Sequence, residues 1–276
     1  MIAITPEMCD RLRRWLQRMS GIWVPTDRNY LFQERLSTLS LELRHSIPEI
    51  AQDLNKLVAH VLTCKPGTPL VDNMITAMTT NESMWFRDGH PFTALSEAIL
   101  PERAPQERRI WSAACSFGQE IYSIAMLLEE GRAWSGGLRS WDLMATDIDE
   151  AALERGLAAM YRRHEISRGL SPERLELFFK TQGSLYLVDS AIRQAVTFQR
   201  RNLLEDWAHE APWDVILCRN VLIYFTEEDR MAVIERLVKR LRSNGYLILG
   251  AMEIYPAGLP GLTRRRFGST TVWQKP

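Results

Sequence analysis

The sequence has no surplus of either charge: Lys and Arg together number 34, Asp and Glu also 34, and the formal net charge is zero. That balance argues against a dominant nucleic-acid role, which needs an excess of Lys and Arg on one face. A local basic patch stays open. Cysteine is scarce: Cys9, Cys64, Cys115 and Cys218 form no Cys-x-x-Cys pair. Neither a disulfide framework nor a zinc site is expected, and no metal. The longest apolar runs, such as Tyr246–Met252, fall far short of a membrane span. The start, Met-Ile-Ala-Ile-Thr-Pro-Glu, turns polar at once and shows no secretory leader. With the free thiols, this fits a reducing, cytoplasmic setting without membrane insertion.

What is present is ordinary for a globular chain: 276 residues, 46% hydrophobic and 25% charged. The length supports one large domain, or a main domain plus a small one. Residues 5–64 read as helical. Leu12, Trp15, Leu16 and Met19 share one face at three- and four-residue spacing, and Arg11, Arg14 and Arg18 share another. Further helical pattern covers Leu31–Leu43 and Ile50–Leu62, punctuated by Pro25 and Pro48. Lys65-Pro-Gly-Thr-Pro69 is the best linker, which places a small N-terminal helical domain at residues 1–70 and the main domain at 71–276.

After residue 105, short apolar runs alternate with amphipathic helices. Strands are predicted at Arg109–Ala114, Asp142–Thr146, Val196–Arg200, Val215–Cys218 and Tyr246–Ala251, the last entered through an Asn244-Gly245 turn. Helices are predicted at Gln119–Glu130, closed by Gly131, at Glu150–Met160 and at Glu227–Leu241. Leu262–Gln274 has room for one or two closing strands. The alternation implies an α/β fold with a mostly parallel sheet. Residues 161–195 fit it poorly: a helix at Ser171–Lys180, opened by Ser171-Pro172, and a polar, β-leaning stretch at Gly183–Val188 read as an insertion.

In an open parallel sheet, ligands bind beyond the carboxyl ends of the strands. The first strand is followed by Ala113-Ala-Cys-Ser-Phe-Gly-Gln-Glu120, whose small residues permit close approach of a ligand to the backbone before a helix N-terminus. Gly118 is its only glycine, so the GxGxxG pyrophosphate fingerprint is missing, which weakens a nicotinamide or flavin reading. A tight turn without ligand explains this segment equally well. The second strand ends Ala145-Thr-Asp-Ile-Asp149. A carboxylate at Asp147 can accept hydrogen bonds from both ribose hydroxyls, whereas Asp149 suits a helix cap. Together these two tips favour a ribose-bearing cofactor. The fourth strand ends Cys218-Arg-Asn-Val-Leu-Ile-Tyr-Phe225, where plain core packing accounts for most of Val221 to Phe225 but not for Asn220. Upstream, Asn81-Glu-Ser-Met-Trp-Phe-Arg-Asp88 reads by composition as a helix start with a buried Trp85/Phe86 pair and a solvated arginine.

These four segments, in this order, resemble the chemotaxis receptor glutamate O-methyltransferases of the CheR type, and the resemblance runs from about residue 5 to the C-terminus. It implies a class I S-adenosylmethionine-dependent methyltransferase domain (Rossmann-like, mostly parallel sheet), a small N-terminal helical domain, and a small inserted β-subdomain at about residues 175–195. Residue by residue, Asn81, Ser83 and Arg87 match cofactor-contacting positions of the family's Asn-x-Thr-x-Phe-Phe-Arg motif, with serine for threonine and Trp85 for phenylalanine. Ala113 lies in the matching cofactor loop, and Glu120 matches the second acid of a Gly-Glu-Glu whose first acid is Gln119 here. Asp147 matches the ribose-binding acid, and Asn202-Leu203 a pair expected at the adenine. Asn220 and Val221 match a pair lining the methyl end, and Tyr224 a tyrosine near the reaction centre.

There are two departures from the family's pattern. The family's Gly-His-Ser-Glu after the fifth strand is Gly250-Ala-Met-Glu253. The Gly-x-Gly-Pro insert that members use to dock a C-terminal receptor pentapeptide is absent from the short Thr181-Gln-Gly-Ser-Leu185, implying a pentapeptide-independent enzyme. The implied activity is methyl transfer from S-adenosylmethionine, giving S-adenosylhomocysteine, to glutamate side chains on the cytoplasmic helical region of methyl-accepting chemoreceptors, for sensory adaptation. Arg87 and Tyr224 are the implied catalytic pair. Arg11, Arg14 and Arg18 are placed to steer acidic receptor helices, though a solvated helix face explains them as well. An RNA or DNA methyltransferase is the first alternative. The neutral charge and the lack of the Asn/Asp-Pro-Pro-aromatic motif of amino-nitrogen methylases weigh against it. A non-catalytic S-adenosylmethionine-binding adaptor is the second, opposed by the presence of Arg87, Asp147 and Asn220.

Overall fold

The computed structural model describes residues 2–102, 108–132, 136–207, 211–255 and 257–276. They divide into two compact units: Met1–Thr80 with Tyr224–Arg230, and Asn81–Ile223 with Met231–Pro276.

The first unit is helical: α1 (Pro6–Ser20), α2 (Asn29–Leu43), α3 (Pro48–Ala51), α4 (Leu54–Val61) and α5 (Pro69–Met78). α1 starts where Thr5 accepts the Met8 N–H with Pro6 at the first helical position, and stops at Gly21, which takes the left-handed conformation (φ 77°). A Cβ at Gly21 would also meet the Phe225 ring at 2.1 Å, so two constraints select glycine there. The predicted apolar face is buried at Leu12, Trp15 and Leu16, and the arginine face holds Arg11, Arg14 and Arg18 exposed. Arg13, between the two, is buried and satisfied by the Val24 carbonyl, Asp10 and Asn29. The helical unit continues past residue 70 because Pro69 opens α5 rather than ending a linker, and α5 buries Val71, Met74, Ile75 and Met78.

The second unit is built on a seven-stranded sheet in the order β6-β2-β1-β7-β8-β10-β9. Its strands are β1 (Arg109–Ala113), β2 (Asp142–Asp147), β6 (Val196–Arg200), β7 (Trp213–Cys218), β8 (Leu241–Leu249), β9 (Thr263–Phe267) and β10 (Thr270–Gln274). The five strands from β6 to β8 run parallel, whereas β10 is antiparallel to β8 and to β9. All six residues of β7 are buried, as expected for a strand covered on both faces. The crossover helix Gln119–Glu130 lies between Gly118 and Gly131 as predicted, with Ile121, Ile124, Ala125 and Leu128 buried. Asn244 does take the left-handed φ of a turn residue (63°), but as an irregularity within β8, which starts earlier, at Leu241.

The segment that broke the alternation forms its own antiparallel sheet, β3-β5-β4: Met160–Arg162, Leu185–Val188 and Phe179–Gln182. It begins before the expected residue 175, because the helix Glu150–Ala158 is closed by Ala159 at φ 53° and Met160 opens β3. β4 and β5 are joined by only Gly183 and Ser184, with Gly183 at φ 62°, a tight two-residue hairpin. Trp85 carries this small sheet. Its buried indole meets Tyr161 edge-on at 4.9 Å and Phe179 at 5.2 Å between ring centroids. Its backbone lies so close to Gly169 (φ 93°) that a Cβ there would stand 1.9 Å from the Trp85 carbonyl oxygen.

Candidate functional site

Strand register places the site. Gln199, Thr146, Ala113, Cys218 and Leu249 are successive partners across the parallel strands, so one row of residues ends β6, β2, β1, β7 and β8 together. The loops that follow them therefore open at one edge, with β1 between the two directions of winding, where such sheets bind ligands. Among the described residues, seven non-glycines have positive φ, and five of them belong to this edge and the segment before it: Phe86, Asp88, Ala114, Ser116 and Asn220. Backbone strain concentrates where the structure over-determines a geometry, which is the habit of binding sites.

Asp147 closes β2. Its carboxylate is nearly buried and accepts the Ser116 N–H at 2.8 Å and the Asp149 N–H at 3.0 Å. Each oxygen keeps a lone pair, so the group can also accept two hydroxyls. Burial holds its pKa above the ordinary aspartate range, against the pull of the backbone N–H bonds. Asp149 caps the next helix through the Ala152 N–H, as expected, and is also gripped by the Asn81 side-chain amide. Ser83 is half-buried beside it in sequence. Asn202 closes a local turn by accepting the Leu204 N–H at 3.0 Å, and Leu203 is buried, both just beyond the tip of β6. Ala113 is fully buried, so any ligand contact there is through its backbone.

Glu120 and Arg87 meet through a residue that motif reading passed over. The Arg219 side chain, 1% exposed, donates to Glu120 Oε2 at 2.8 Å, to Asp88 Oδ2 at 2.7 Å and to the Arg87 carbonyl at 2.8 Å. Glu120 Oε1 accepts the Ser112 hydroxyl at 2.8 Å. One buried cation thus joins the tip of β7, the start of the crossover helix and the 81–88 segment. Arg87 itself is half-buried and donates to the Glu82 carbonyl at 3.1 Å, leaving most of its fork of donors for a ligand. Glu253, retained from the family's Gly-His-Ser-Glu but given no role by the motif, is the second such residue: its carboxylate accepts the N–H groups of Asn220, Val221, Leu222 and Gly250. The signal for Arg219 is a charged residue directly after the apolar run Val215–Cys218, which must find anions; for Glu253 it is an acid left standing in an otherwise altered motif. Tyr224 falls in the segment Tyr224–Arg230 that clusters with the helical unit, where its carbonyl accepts the Trp23 N–H at 2.8 Å.

Two buried polar atoms at the β1 turn, Ser116 Oγ and Gln119 Oε1, have no hydrogen-bond partner among the described residues. Such atoms call for an outside partner. A ligand carrying hydroxyls and an ammonium would supply it, so this site fits an aminoacyl-nucleoside. Cys115 cannot act as a nucleophile here, because burial pushes its thiol pKa well up. A cavity of about 720 Å³ is lined by Asn81, Ser83 and Phe117 and by Arg155, Arg162 and Arg168, a volume suited to a small-molecule ligand. No group of three or more His, Cys, Asp or Glu suited to a metal occurs among the described residues. None of the described helices is long and apolar enough to cross a membrane.

A sheet of this strand order, with its last strand antiparallel and an acid at the end of β2, is a class I S-adenosylmethionine-dependent methyltransferase fold. Residues 81–267 match the family model "CheR methyltransferase, SAM binding domain", and the chain belongs to that family. It is 38% identical over 266 residues to the chemotaxis protein methyltransferase of Vibrio anguillarum, covering 95% of this chain and 93% of that one. It is 39% identical over 254 residues to chemotaxis protein methyltransferase 1 of Vibrio cholerae, covering 91% and 88%. To chemotaxis protein methyltransferase 1 of Pseudomonas aeruginosa it is 38% identical over 248 residues, covering 87% and 88%.

Proposed function

We propose that this chain methylates glutamate side chains in the cytoplasmic helical region of chemoreceptors, using S-adenosylmethionine, and does so without a C-terminal receptor pentapeptide. The observation that carries the reading is the Asp147 carboxylate, held by two backbone N–H bonds at the tips of the parallel strands beside Ser116 Oγ and Gln119 Oε1, which lack partners among the described residues. Asp147 accepts the ribose hydroxyls, Asn202 and Leu203 border the adenine, and Asn220 and Val221 line the donor end. Asn81 and Ser83 complete the cofactor wall. When bound, S-adenosylmethionine supplies an electrophilic sulfonium methyl.

The chain has little chemistry left to do. A glutamate carboxylate is already ionised near neutral pH, so no strong general base is needed. The remaining work is alignment of one carboxylate oxygen with the methyl carbon and exclusion of water. Arg87 orients that carboxylate through its fork of donors, and grips it loosely enough to keep it nucleophilic. Tyr224 is assigned to the reaction centre with it. Glutamate methyl ester and S-adenosylhomocysteine are the products, and no metal takes part. The two-residue hairpin at Gly183-Ser184 supports pentapeptide independence, since it leaves no loop there to clasp a receptor tail.

The test is transfer of tritiated methyl into purified chemoreceptors, with and without their C-terminal tails, followed by alkaline release. Volatile methanol in equal amounts from both receptors is the expected result. Label that survives base as methylamine, or a requirement for the tail, would overturn the corresponding half of the proposal.

A further inference from the structure

We infer that Glu253 is a positioning residue for methyl transfer, tying the turn after β7 to the turn after β8 so that Asn220 stays fixed at the donor end of the cleft. The inference rests on the cleft reading given above. Glu253 is 7% exposed, and its two oxygens take two backbone donors each, three from the turn after β7 and one from the turn after β8. Oε1 accepts the Val221 N–H at 3.1 Å and the Leu222 N–H at 2.8 Å. Oε2 accepts the Asn220 N–H at 3.1 Å and the Gly250 N–H at 2.6 Å.

Several features show that this is a built joint rather than an incidental contact. Asn220 is left-handed at φ 60°, a conformation open to asparagine but to few other side chains, and the Glu253 carboxylate holds its N–H there. Gly250 sits so tightly in the joint that a Cβ would stand 2.8 Å from the Asn220 backbone nitrogen, 2.9 Å from its side-chain Nδ2 and 2.9 Å from Glu253 Oε2. The donor count also selects the residue type. Four N–H groups converge on one side chain, and a carboxylate is acceptor-only at both ends, whereas glutamine would turn an amide N–H₂ toward two of those donors. Aspartate, one methylene shorter, cannot span both loops from the same backbone position. The rest of the joint's motif is free to vary: Ala251 and Met252 are exposed, while Gly250 and Glu253 are buried.

The test measures three variants, Glu253→Gln, Gly250→Ala and Asn220→Ala, and the double variant Glu253→Gln with Asn220→Ala. Each is assayed for S-adenosylhomocysteine affinity by calorimetry, kcat and KM on receptor, and melting temperature. Glu253→Gln is expected to lower kcat/KM at least tenfold, and Gly250→Ala, which strains the same joint from the other side, to move it in the same direction. Adding Glu253→Gln to Asn220→Ala should then cost less than threefold more, because the side chain it positions is already gone. A merely structural glutamate would instead give losses that track melting temperature and multiply with those of Asn220→Ala. That multiplication, or a well-folded Glu253→Gln within twofold of wild type, overturns the inference while leaving the cleft reading intact. Should Glu253→Gln fail to fold, Gly250→Ala decides alone, and activity within twofold of wild type overturns the inference. If Asn220→Ala leaves both S-adenosylhomocysteine affinity and kcat unchanged, the cleft reading itself fails, and the inference with it.

Discussion

Replacing Arg219 with methionine should destabilise the sheet unit and loosen its cofactor end together. Methionine keeps most of the length and bulk, so the change isolates the guanidinium. Three hydrogen bonds are lost: to Glu120, to Asp88 and to the Arg87 carbonyl. The Glu120 side chain is 14% exposed and would be left with a nearly buried, unpaired charge, whereas Asp88 is 33% exposed and recovers much of its hydration. Breaking a buried pair from one side costs about 3–5 kcal/mol, and the exposed half adds little. We therefore expect about 3 kcal/mol, which for a unit of this size is a fall in Tm of roughly 6–12 °C. Differential scanning calorimetry reads the stability, and titration with S-adenosylhomocysteine reads the cleft, since Arg87 would lose the anchor beneath its backbone. The double variant Arg219→Met with Glu120→Gln should regain part of the Tm, because no buried charge then lacks a partner. A single variant within about 1 kcal/mol of wild type, with unchanged affinity, would refute the argument that this cation holds the three segments together.

Other expectations concern charge, backbone and steering. The pKa of Asp147 is raised by burial, so its charge is lost on acidification sooner than that of a free aspartate. S-adenosylhomocysteine affinity should then weaken at a higher pH than ordinary aspartate titration predicts, and Asp147→Asn should abolish that pH step in a calorimetric series. The linkage to stability has the opposite sign: a raised folded pKa favours the ligand-free fold below the unfolded pKa, and this contribution disappears as pH rises through the folded value. Gly169→Ala should cost more than the roughly 1–3 kcal/mol of a left-handed alanine alone, since its Cβ would meet the Trp85 carbonyl oxygen; urea denaturation followed by tryptophan fluorescence checks this. Reversing Arg11, Arg14 and Arg18 to glutamate should weaken turnover on receptor, most at low ionic strength, with cofactor affinity unchanged. Equal turnover at low salt would remove the steering role.

What could be read from the chain was local. Gln119–Glu130 was legible because glycines bracket it and its apolar residues recur at helical spacing, and Val196–Arg200 because a short β-prone run stands alone. The ends of β7 and β8 were harder, since Trp213, Asp214 and Leu241 join strands only through their neighbours across the sheet. Pro69 closes a linker or opens a helix equally well on sequence, because proline does both, and only the packing of α5 against α2 distinguishes the two. At the site, Asp147 and Asn220 stand at strand ends that periodicity reveals. The partners of Arg219 lie 99 to 132 positions away in sequence, and no spacing rule spans that distance. The donors to Glu253 come from 31 to 33 residues upstream and from Gly250, so its role depended on two loops meeting.

The wedging of Trp85 between Tyr161 and Phe179 has an engineering consequence. The strip of chain that contains Asn81, Ser83 and Arg87 also provides the keystone for the minor sheet, so the two cannot be exchanged independently. A chimera that lengthens the Gly183-Ser184 hairpin must supply a matching aromatic seat as well. Without it, the graft would disturb the segment that holds Asn81, Ser83 and Arg87.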